Sequence, residues 1–510
     1  MKIYVSIHIG SYGISLKVFE ISKGRRLKKI DEQRRKMDIA VDIIRHQRLS
    51  RNTLLQMTDT LCDMKQTIDE YRADAYDVYA GSIFLSAGNI MTLTDQVREA
   101  CGMSIKILDN PRQKFLLYEA LCSVENFSRI IDNRTVVVDV GGNGVQLSLF
   151  EKGRVSTTQH IYLGAASVWD DLRRLGQSMD FRNQLMSMIN MEMEIFYSTY
   201  LNNLPPENMI IINNPFMSVS NAAAKSKNFL LSTADYIKQL KKVMKENAYS
   251  VFGDSNGGDA NDLFTSFLML YRSLIEHIPV KEVYVLPISL HEGMAYDYAY
   301  NHRFLPVPRD FEGDCLQGAW AIAERYNCDR EHINTLLSLS GMLYDSIKKR
   351  HGMPDRCGFL LKAAVILHDC GKYISLAKEG LCTYTIITSS EILGLSDKEC
   401  LMVAWICYFF KDGVKDYDVL SDQFTREEYF TIQKLTAILS IAGALDRSHT
   451  HKAEDVKFRY NGRDELAISI DTQDSMELEK VFFDDRAELF EDIFAIRPVL
   501  KSVRVRRSIS

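Results

Sequence analysis

A strand-like run that leads into a glycine-rich turn near the middle of the chain constrains the fold more than any other feature. Val136–Val140 carries Asp139 near its end, and the turn that follows consists of Gly141, Gly142, Asn143 and Gly144. A second strand-like run comes directly after the turn. Such a turn lets backbone N–H groups approach a phosphate because no Cβ is in the way, and the aspartate can hold a metal ion or its water. We therefore expect the four turn residues to bind phosphate beside Asp139.

A second copy of this pattern opens the chain. The strand-like Tyr4–Ile9 leads into Gly10 and Ser11, and Ile14–Phe19 has the pattern of the returning strand. Two such hairpins, far apart in the chain, predict duplicated α/β lobes that face each other across a phosphate-binding cleft. Gly10 and Ser11 would contribute to that cleft. The copies differ in one respect, because the first has His8 where the second has its aspartate.

Composition excludes several classes of protein. The formal net charge of -5 gives no general attraction to nucleic acid or to acidic membranes, so we expect no specific nucleic-acid partner. The ten cysteines include no C-x-x-C pair, which argues against a zinc ribbon or a disulfide framework. No apolar run is long enough to span a bilayer and the start lacks an export signal, so we expect a cytoplasmic protein that does not enter membranes.

The organisation along the chain predicts four domains. Strands alternate with helices in 1–125 and again in 126–305, which predicts the two lobes. Residues 312–450 are almost wholly helical in their apolar periodicity. Residues 454–510 return to short strand patterns, followed by an amphipathic helix and a basic tail, and predict a small α+β domain.

Six short motifs, in this order and spacing, give the chain a resemblance to a known family. They are Ile9–Ser11, Asp139–Gly142, Leu163–Ala165, Glu292–Gly293, Leu367–Lys372 and Ile441–Arg447. Together they resemble the exopolyphosphatase / guanosine pentaphosphate phosphatase (Ppx/GppA) family, in its longer form with a C-terminal HD-type helical domain.

The resemblance implies both a fold and an activity. The fold would be an α/β actin-like ATPase (ribonuclease H-like) pair of lobes, followed by an all-α HD-type domain and a small α+β domain. The activity would be hydrolysis of terminal phosphoanhydrides in polyphosphate or guanosine pentaphosphate, assisted by Mg²⁺. Asp139 would serve as a catalytic residue and metal ligand, and Glu292 as a second catalytic acid. A homodimer is also an expectation.

The chain departs from the family at several acidic or phosphate-binding positions. The family's catalytic glutamate belongs to a segment that corresponds here to 109–113, where no glutamate stands in register. The other replacements are His8, Leu85, Gln146, Asn213, Asn214 and His291. General-base catalysis contributes about 10²–10⁴-fold to a rate, so these losses predict weak or absent turnover at a degenerate active site.

The helical segment carries part of an HD-type metal site. Such a site needs a first histidine, an adjacent His-Asp pair and a distant aspartate. His368, Asp369 and Asp446 supply the last three, and we take them as possible metal ligands. The first histidine aligns with Thr335, while His332 lies about one helical turn earlier and could project on the same side. A helical domain that retains these residues without binding metal is the other interpretation.

Three functions therefore remain open. The chain is a slow phosphohydrolase of the family, or a non-catalytic protein that binds a phosphate-rich ligand and signals by lobe closure, or an HD-type phosphohydrolase that acts from its helical part. The basic stretch Lys23–Lys36 could contact a polyanion or form a solvated hairpin. The basic tail with Arg504, Arg506 and Arg507 is expected to be disordered and solvent-exposed.

Overall fold

The computed structural model of the protein describes residues 1–24, 27–37, 39–174, 179–214, 216–245, 259–461, 464–472 and 475–505. The chain forms two compact units, 1–311 and 312–510. Parts of the two basic segments interpreted from sequence lie outside the described residues, namely Arg25, Arg26, Arg506 and Arg507.

Two sheets that share the order of their first four strands form the framework of the first unit, and the second sheet has an additional edge strand, β10, that runs antiparallel to β11. The first sheet has the order β3-β2-β1-β4-β5, and the second the order β10-β11-β9-β6-β7-β8. In each sheet an antiparallel three-stranded meander is extended by parallel strands on the side of its first strand. The strands are β1 (Lys2–Gly10), β2 (Gly13–Ile21), β3 (Lys28–Lys36), β4 (Ala75–Ala80), β5 (Ile105–Ile107), β6 (Thr135–Val140), β7 (Val145–Glu151), β8 (Arg154–Ile161), β9 (Asn208–Ile212), β10 (Leu230–Ser232) and β11 (Glu282–Val285).

Both predicted strand–turn–strand hairpins are confirmed. In the first, Gly10 pairs with Gly13 and only Ser11 and Tyr12 form the turn. Gly13 has φ +138°, and a Cβ there would lie 2.1 Å from the carbonyl oxygen of Arg35, so only glycine fits. In the second hairpin β6 pairs with β7. The apolar side chains of β6 are buried on both faces of the sheet, which explains its almost unbroken β-branched sequence.

Helices pack on both sheets of the first unit. The last of them, α11, also packs against α4 and β1, so the chain returns to the first sheet after completing the second. Each sheet has its own hydrophobic core, and the ring of Tyr12 packs against both. The helices are α1 (Ile39–His46), α2 (Arg51–Glu70), α3 (Ile90–Cys101), α4 (Asn110–Cys122), α5 (Phe127–Asp132), α6 (Ala165–Arg174), α7 (Met179–Tyr200), α8 (Met217–Lys225), α9 (Thr233–Lys245), α10 (Asp259–His277) and α11 (Leu290–Asn301), with 3₁₀ turns at Ser82–Ser86 and Lys227–Phe229.

The second unit is largely helical and ends in a small sheet. Its helices are α12 (Phe311–Arg325), α13 (Arg330–His351), α14 (Asp355–Leu367), α15 (Glu379–Thr388), α16 (Asp397–Asp412), α17 (Arg426–Leu445) and α18 (Glu477–Phe494), with 3₁₀ turns at Cys370–Tyr373 and Tyr417–Val419. The sheet has the order β12 (Glu454–Tyr460), β13 (Glu465–Thr472), β14 (Arg497–Val505). None of the described helices has the length and hydropathy that a bilayer-spanning segment requires.

One sequence expectation about this unit is wrong. The basic segment expected to be disordered includes Arg504, which lies in β14 and pairs in parallel with β13. The basic residues hid a strand pattern because they alternate with apolar ones, as in Val503–Val505. The remaining architecture agrees with the prediction of a mixed α/β part followed by a helical part, whereas the four predicted domain boundaries stay predictions.

Candidate functional site

The two glycine-containing turns of the first unit touch each other. A Cβ atom added to Gly142 would lie 2.5 Å from Ser11 Oγ and 3.2 Å from the hydroxyl of Tyr12. Real Cβ atoms do not approach other heavy atoms so closely, so Gly142 is required by the contact between the turns rather than by its own backbone angles. The turns that sequence analysis predicted to face each other therefore meet directly.

The start of α6 holds the second turn through backbone hydrogen bonds. The amides of Ala165 and Ala166 donate to the carbonyl oxygens of Gly141 and Gly142, each at 3.0 Å. A Cβ at Gly164 would lie 2.2 Å from the Gly142 oxygen, which explains the glycine of the Leu163–Ala165 motif. Among the described residues, none accepts a hydrogen bond from the amides of Gly142 or Asn143. These two N–H groups are therefore available to an anion.

Asp139 lies beside this turn, at the end of β6, and is half-buried. Asn213 Nδ2 donates to its Oδ1 at 3.3 Å. Desolvation raises the pKa of Asp139 to about 6, against the opposing effects of the Asn213 hydrogen bond and the positive charge of Lys114. A carboxylate kept partly desolvated, with a raised pKa, is typical of a functional site.

Unsatisfied polar atoms surround the turn. His160, on β8, covers Gly144, since a Cβ at that glycine would lie 2.4 Å from His160 Nε2. Both ring nitrogens of His160 and the hydroxyl of Tyr12 are buried without a hydrogen-bond partner, as is Asn214 Nδ2. Burial and the charge of Lys114 lower the pKa of His160 to about 4, so its ring is neutral at pH 7. Buried polar atoms without partners are uncommon in proteins and indicate a place for a ligand or for water.

His8, the counterpart of Asp139, does not supply a charge. Its ring lies over Gly10, where an added Cβ would lie 3.1 Å from Cε1. Burial, together with the charge of Lys17, lowers the pKa of His8 to about 4. The ring meets that of His291 edge-on at 5.9 Å, and both nitrogens of His291 bond serine hydroxyls at 2.7 and 2.8 Å. These histidines are neutral members of the lobe's interior.

Glu292, predicted as a second catalytic acid, has both carboxylate oxygens occupied. It is the N3 residue of a capping box at the start of α11, where the Ser289 amide donates to Oε2 at 3.0 Å. Lys17 Nζ, on β2, donates to Oε1 at 2.8 Å. Its surroundings thus give Glu292 a role in fixing α11 to β2, and its catalytic role stays a prediction.

The helix start that aligns with the family's catalytic glutamate is also used for structure. Asp109 is the N-cap of α4 and accepts the Arg112 amide at 2.8 Å. The Arg112 guanidinium pairs with Asp297 of α11 at 2.8 Å. Among the described residues of the first unit, no set of three His, Cys, Asp or Glu side chains is close enough to share a metal ion. Mg²⁺ prefers several oxygen ligands, and Asp139 with a lysine nearby does not fit it.

A second cluster lies in the helical unit, where ligand atoms of His332, His368 and Asp369 are all within 4.8 Å of one another. His332, and not Thr335, completes this set, as its position one helical turn earlier had suggested. Asp446 contacts the cluster through His332, because its Oδ2 lies 2.7 Å from His332 Nδ1. Of the possible metal ligands inferred from sequence, His368 and Asp369 therefore lie together, while Asp446 orients a ligand.

The positions of His368 and Asp369 suit a bound metal ion. His368 Nδ1 lies 2.7 Å from the Val365 carbonyl, which assigns the proton to Nδ1 and leaves Nε2 as a buried lone pair without a partner. Nε2 lies 3.2 Å from Asp369 Oδ1, close to the separation of about 3.3 Å between neighbouring ligands on a tetrahedral zinc ion.

Two lysines compete with a metal for Asp369. Lys372 Nζ donates to Oδ2 at 2.6 Å and Lys411 Nζ to Oδ1 at 2.8 Å, and Lys411 also contacts Glu379. Although burial opposes it, His368 and these ammonium groups hold the pKa of Asp369 well below its usual range. Lys411 and Glu379 were not recognised as site residues from sequence, because their ion pairs join separate helices.

A family model for Ppx/GppA phosphatase, domain III, matches residues 317–484. This helical segment therefore matches domain III of the Ppx/GppA family, and we call it domain III below. The matched segment contains both C-terminal motifs, and the cluster at His332, His368 and Asp369 lies within it. The glycine-rich turns lie outside the matched segment.

Solved structures that match part of this chain include Ppx/GppA proteins. A family member from Aquifex aeolicus is 15% identical, with 59% of this chain and 98% of that chain covered and a TM-score of 0.46. An exopolyphosphatase from Cytophaga hutchinsonii is also 15% identical, with 58% and 97% covered and a TM-score of 0.49. The ethanolamine utilization protein EutJ from Carboxydothermus hydrogenoformans is 12% identical, with 58% and 90% covered and a TM-score of 0.29. Similarity at this level does not by itself indicate an activity.

Proposed function

We propose that the chain belongs to the Ppx/GppA family, and that its first unit binds a phosphate-rich ligand, of the class of polyphosphate or guanosine pentaphosphate, and hydrolyses it weakly or not at all. In this proposal the two sheets are the lobes of an actin-like ATPase (ribonuclease H-like) fold. The observation that carries it is the turn Gly141–Gly144. It has two amides without protein acceptors, it is surrounded by unsatisfied polar atoms, and Asp139 is the carboxylate recorded beside it.

The groups around the turn are suited to a phosphate oxygen. The amides of Gly142 and Asn143 and the Tyr12 hydroxyl can donate, and neutral His160 can donate from one nitrogen. Lys114 is buried, and its charge acts on both Asp139 and His160. A cation and several donors around one small region favour an anion.

Ligand entry requires the turns to separate. Ser11 lies against Gly142 with no room for a single additional carbon atom, so a phosphate cannot fit between them in this arrangement. Binding at this place would therefore move the first lobe relative to the second. That coupling supports the signalling interpretation, because ligand binding and lobe opening become the same event.

The proposed site lacks two of the groups that catalyse phosphoanhydride hydrolysis. A positioned general base contributes about 10²–10⁴-fold, and Arg112 occupies the helix start where the family has its glutamate. A divalent ion would neutralise charge on the phosphates, but Asp139 alone is a poor Mg²⁺ site. Mg²⁺ remains part of the proposal only for the residual activity that Asp139 could support.

Calorimetric titration with polyphosphate of defined length, with and without Mg²⁺, tests the binding proposal. The variant Tyr12→Phe removes one unsatisfied hydroxyl, so we expect it to fold normally and to bind several-fold more weakly. Tyr236→Phe is the matched control, because the Tyr236 hydroxyl is also buried and unpaired but belongs to α9. Equal affinities of both variants and the unmodified protein would reject the turn as the binding site.

A second function is favoured by the cluster in domain III. There His332, His368 and Asp369 would hold a divalent transition metal, as in an HD-type phosphohydrolase, and Asp446 would orient His332. A bound metal would polarise a phosphate and lower the pKa of a water molecule. The homodimer expected for the family is a separate proposal, and light scattering that gives the mass of two chains would support it.

A further inference from the structure

Two cysteines of the second unit lie side by side. Cys328 Sγ is 3.5 Å from Cys370 Sγ, although the residues are 42 positions apart in the chain. Cys328 directly precedes Asp329, the N-cap of α13, and Cys370 directly follows Asp369 at the end of α14. The thiol pair therefore joins the two chain segments that carry His332 and the His368–Asp369 pair.

The pair can react without unfolding. Both cysteines are free thiols, Cys328 half-buried and Cys370 fully buried. A disulfide has an S–S distance of about 2.05 Å, so the sulfurs must approach by a distance that side-chain rotation and small backbone shifts can provide. Access from solvent is through Cys328, since Cys370 has no exposed surface.

We propose that Cys328 and Cys370 are a modification site that a peroxide converts into a reversible intramolecular disulfide. The Cys328 thiolate attacks one peroxide oxygen, the O–O bond breaks, and the products are a sulfenic acid and water. The Cys370 sulfur then attacks the Cys328 sulfur, its proton passes to the sulfenic hydroxyl, and a second water leaves. Two thiols and one hydrogen peroxide thus give one disulfide and two waters, and a dithiol reverses the reaction.

The order of events follows from the surroundings of the two sulfurs. Cys370 is fully buried whereas Cys328 is only half-buried, so Cys328 is the sulfur that the oxidant can reach. Oxidation at Cys328 places an electrophilic sulfur next to Cys370. The half-buried residue is thus the peroxide-reactive one, and the buried residue resolves it.

The disulfide would act on the domain III cluster. It would tie the start of α13 to the end of α14, the two places that bring the rings of His332 and His368 to 5.4 Å. A cross-link in the folded chain reduces the freedom of the unfolded one, so oxidation should raise the unfolding temperature of this unit. This inference does not depend on what the first unit binds.

The experiment treats the full-length protein with hydrogen peroxide under native conditions. We expect loss of two of the ten thiols, a mass decrease of two hydrogens, and a Cys328–Cys370 peptide after proteolysis. The unfolding temperature of the second unit should rise and return after dithiothreitol. Cys328→Ser should show neither effect. Cys62→Ser, which alters the neighbouring pair Cys62 and Cys101 in the first unit, should still form the cross-link.

Three outcomes would overturn the proposal. One is oxidation of Cys328 to sulfinic acid without a cross-linked peptide, and another is a cross-link between chains instead of within one chain. The third is that Cys328 and Cys370 both remain reduced at peroxide concentrations that oxidise Cys62. Cys328→Ser is the primary variant because Cys370→Ser would place a hydroxyl at a fully buried position, where folding itself could fail.

Discussion

The side chain of Ser11 in the first hairpin lies directly against Gly142 in the second, in the space that a Cβ of residue 142 would need. The hairpins are equivalent in strand order, so a repeated element of this fold meets its own copy. The copies differ in charge, because His8 is neutral whereas Asp139 titrates near pH 6. The two hairpins therefore keep the shape expected for phosphate binding, while only the second of the two equivalent positions has an acidic side chain.

The contact between the turns predicts the effect of Gly142→Ala. A methyl group at that position would overlap Ser11 Oγ, and overpacking of this kind typically costs about 1–3 kcal/mol of unfolding free energy. Urea denaturation of the first unit measures the loss. The double variant with Ser11→Gly should recover most of it, because it removes the overlapping side chain.

Gly88→Ala provides a control for this substitution. A Cβ at Gly88 would have a single near neighbour, the Gln47 oxygen at 3.4 Å, so we expect little change in stability. A loss at Gly142 that Ser11→Gly leaves unchanged would mean that the turns do not touch in solution.

The Lys17–Glu292 ion pair predicts that Glu292→Gln acts on stability. Breaking a buried pair leaves one charge without a partner and costs about 3–5 kcal/mol. Lys17 and Glu292 are 8% and 16% exposed, so we expect a loss near the lower limit. Lys17→Met should lower the free energy of unfolding by a comparable amount. The double variant should lose less than the sum of the two single losses, and chemical denaturation measures all three values.

The variant Glu292→Gln also distinguishes a structural role of Glu292 from a catalytic one. If Glu292 only fixes α11 to β2, phosphate release per folded molecule should be the same before and after Glu292→Gln. Loss of release with unchanged unfolding free energy would instead support the catalytic role inferred from the family resemblance.

The raised pKa of Asp139 predicts that the ionised carboxylate lowers the free energy of unfolding, and that this effect grows as the pH rises. In the folded protein the pKa is about 6, above the ordinary value of 3.8, so the folded state holds more protons between these two values. The stability of the unmodified protein should therefore fall relative to Asp139→Asn as the pH rises from 4 to 6. Denaturation of both proteins at pH 4 and pH 7 tests this sign. The prediction would be contradicted if the stability of Asp139→Asn relative to the unmodified protein did not increase between pH 4 and pH 7.

The domain III cluster predicts a specific response to Co²⁺, whose visible absorption reports coordination. We expect one ion per chain, its loss in His368→Ala, and about 10–100-fold weaker binding in Asp446→Asn because Asp446 orients His332. Lys411→Met should strengthen binding, since it frees an oxygen of Asp369. His302→Ala, in the first unit, is the control. Binding that survives His368→Ala would place the ion elsewhere.

Sequence reasoning succeeded where the signal was local. Each hairpin was visible because a β-branched run, a glycine turn and a second run follow one another, as in Val136–Phe150. The approach of His332 to His368 followed from helical spacing. His160 was missed, although a signal existed. It is the hairpin partner of Gln146, and a residue in that position must lie beside the turn.

It failed where partners are distant in the chain. Lys17 and Glu292 are 275 positions apart, so no motif reveals that the glutamate is already paired. Lys411 joins Asp369 from another helix, 42 positions away. In β14 the pairing with β13 decides the conformation, and the basic residues alone suggested exposure. Long-range ion pairs and parallel strand pairing depend on the fold and not on local pattern.

The most direct test of the central claim measures orthophosphate release and ligand binding in the same preparation of full-length protein, with polyphosphate and Mg²⁺. The account predicts thermal stabilisation by the ligand, with a release rate no higher than that of Asp139→Asn. Rapid, cation-dependent release that disappears in Asp139→Asn would contradict it, because a single carboxylate would then suffice for catalysis.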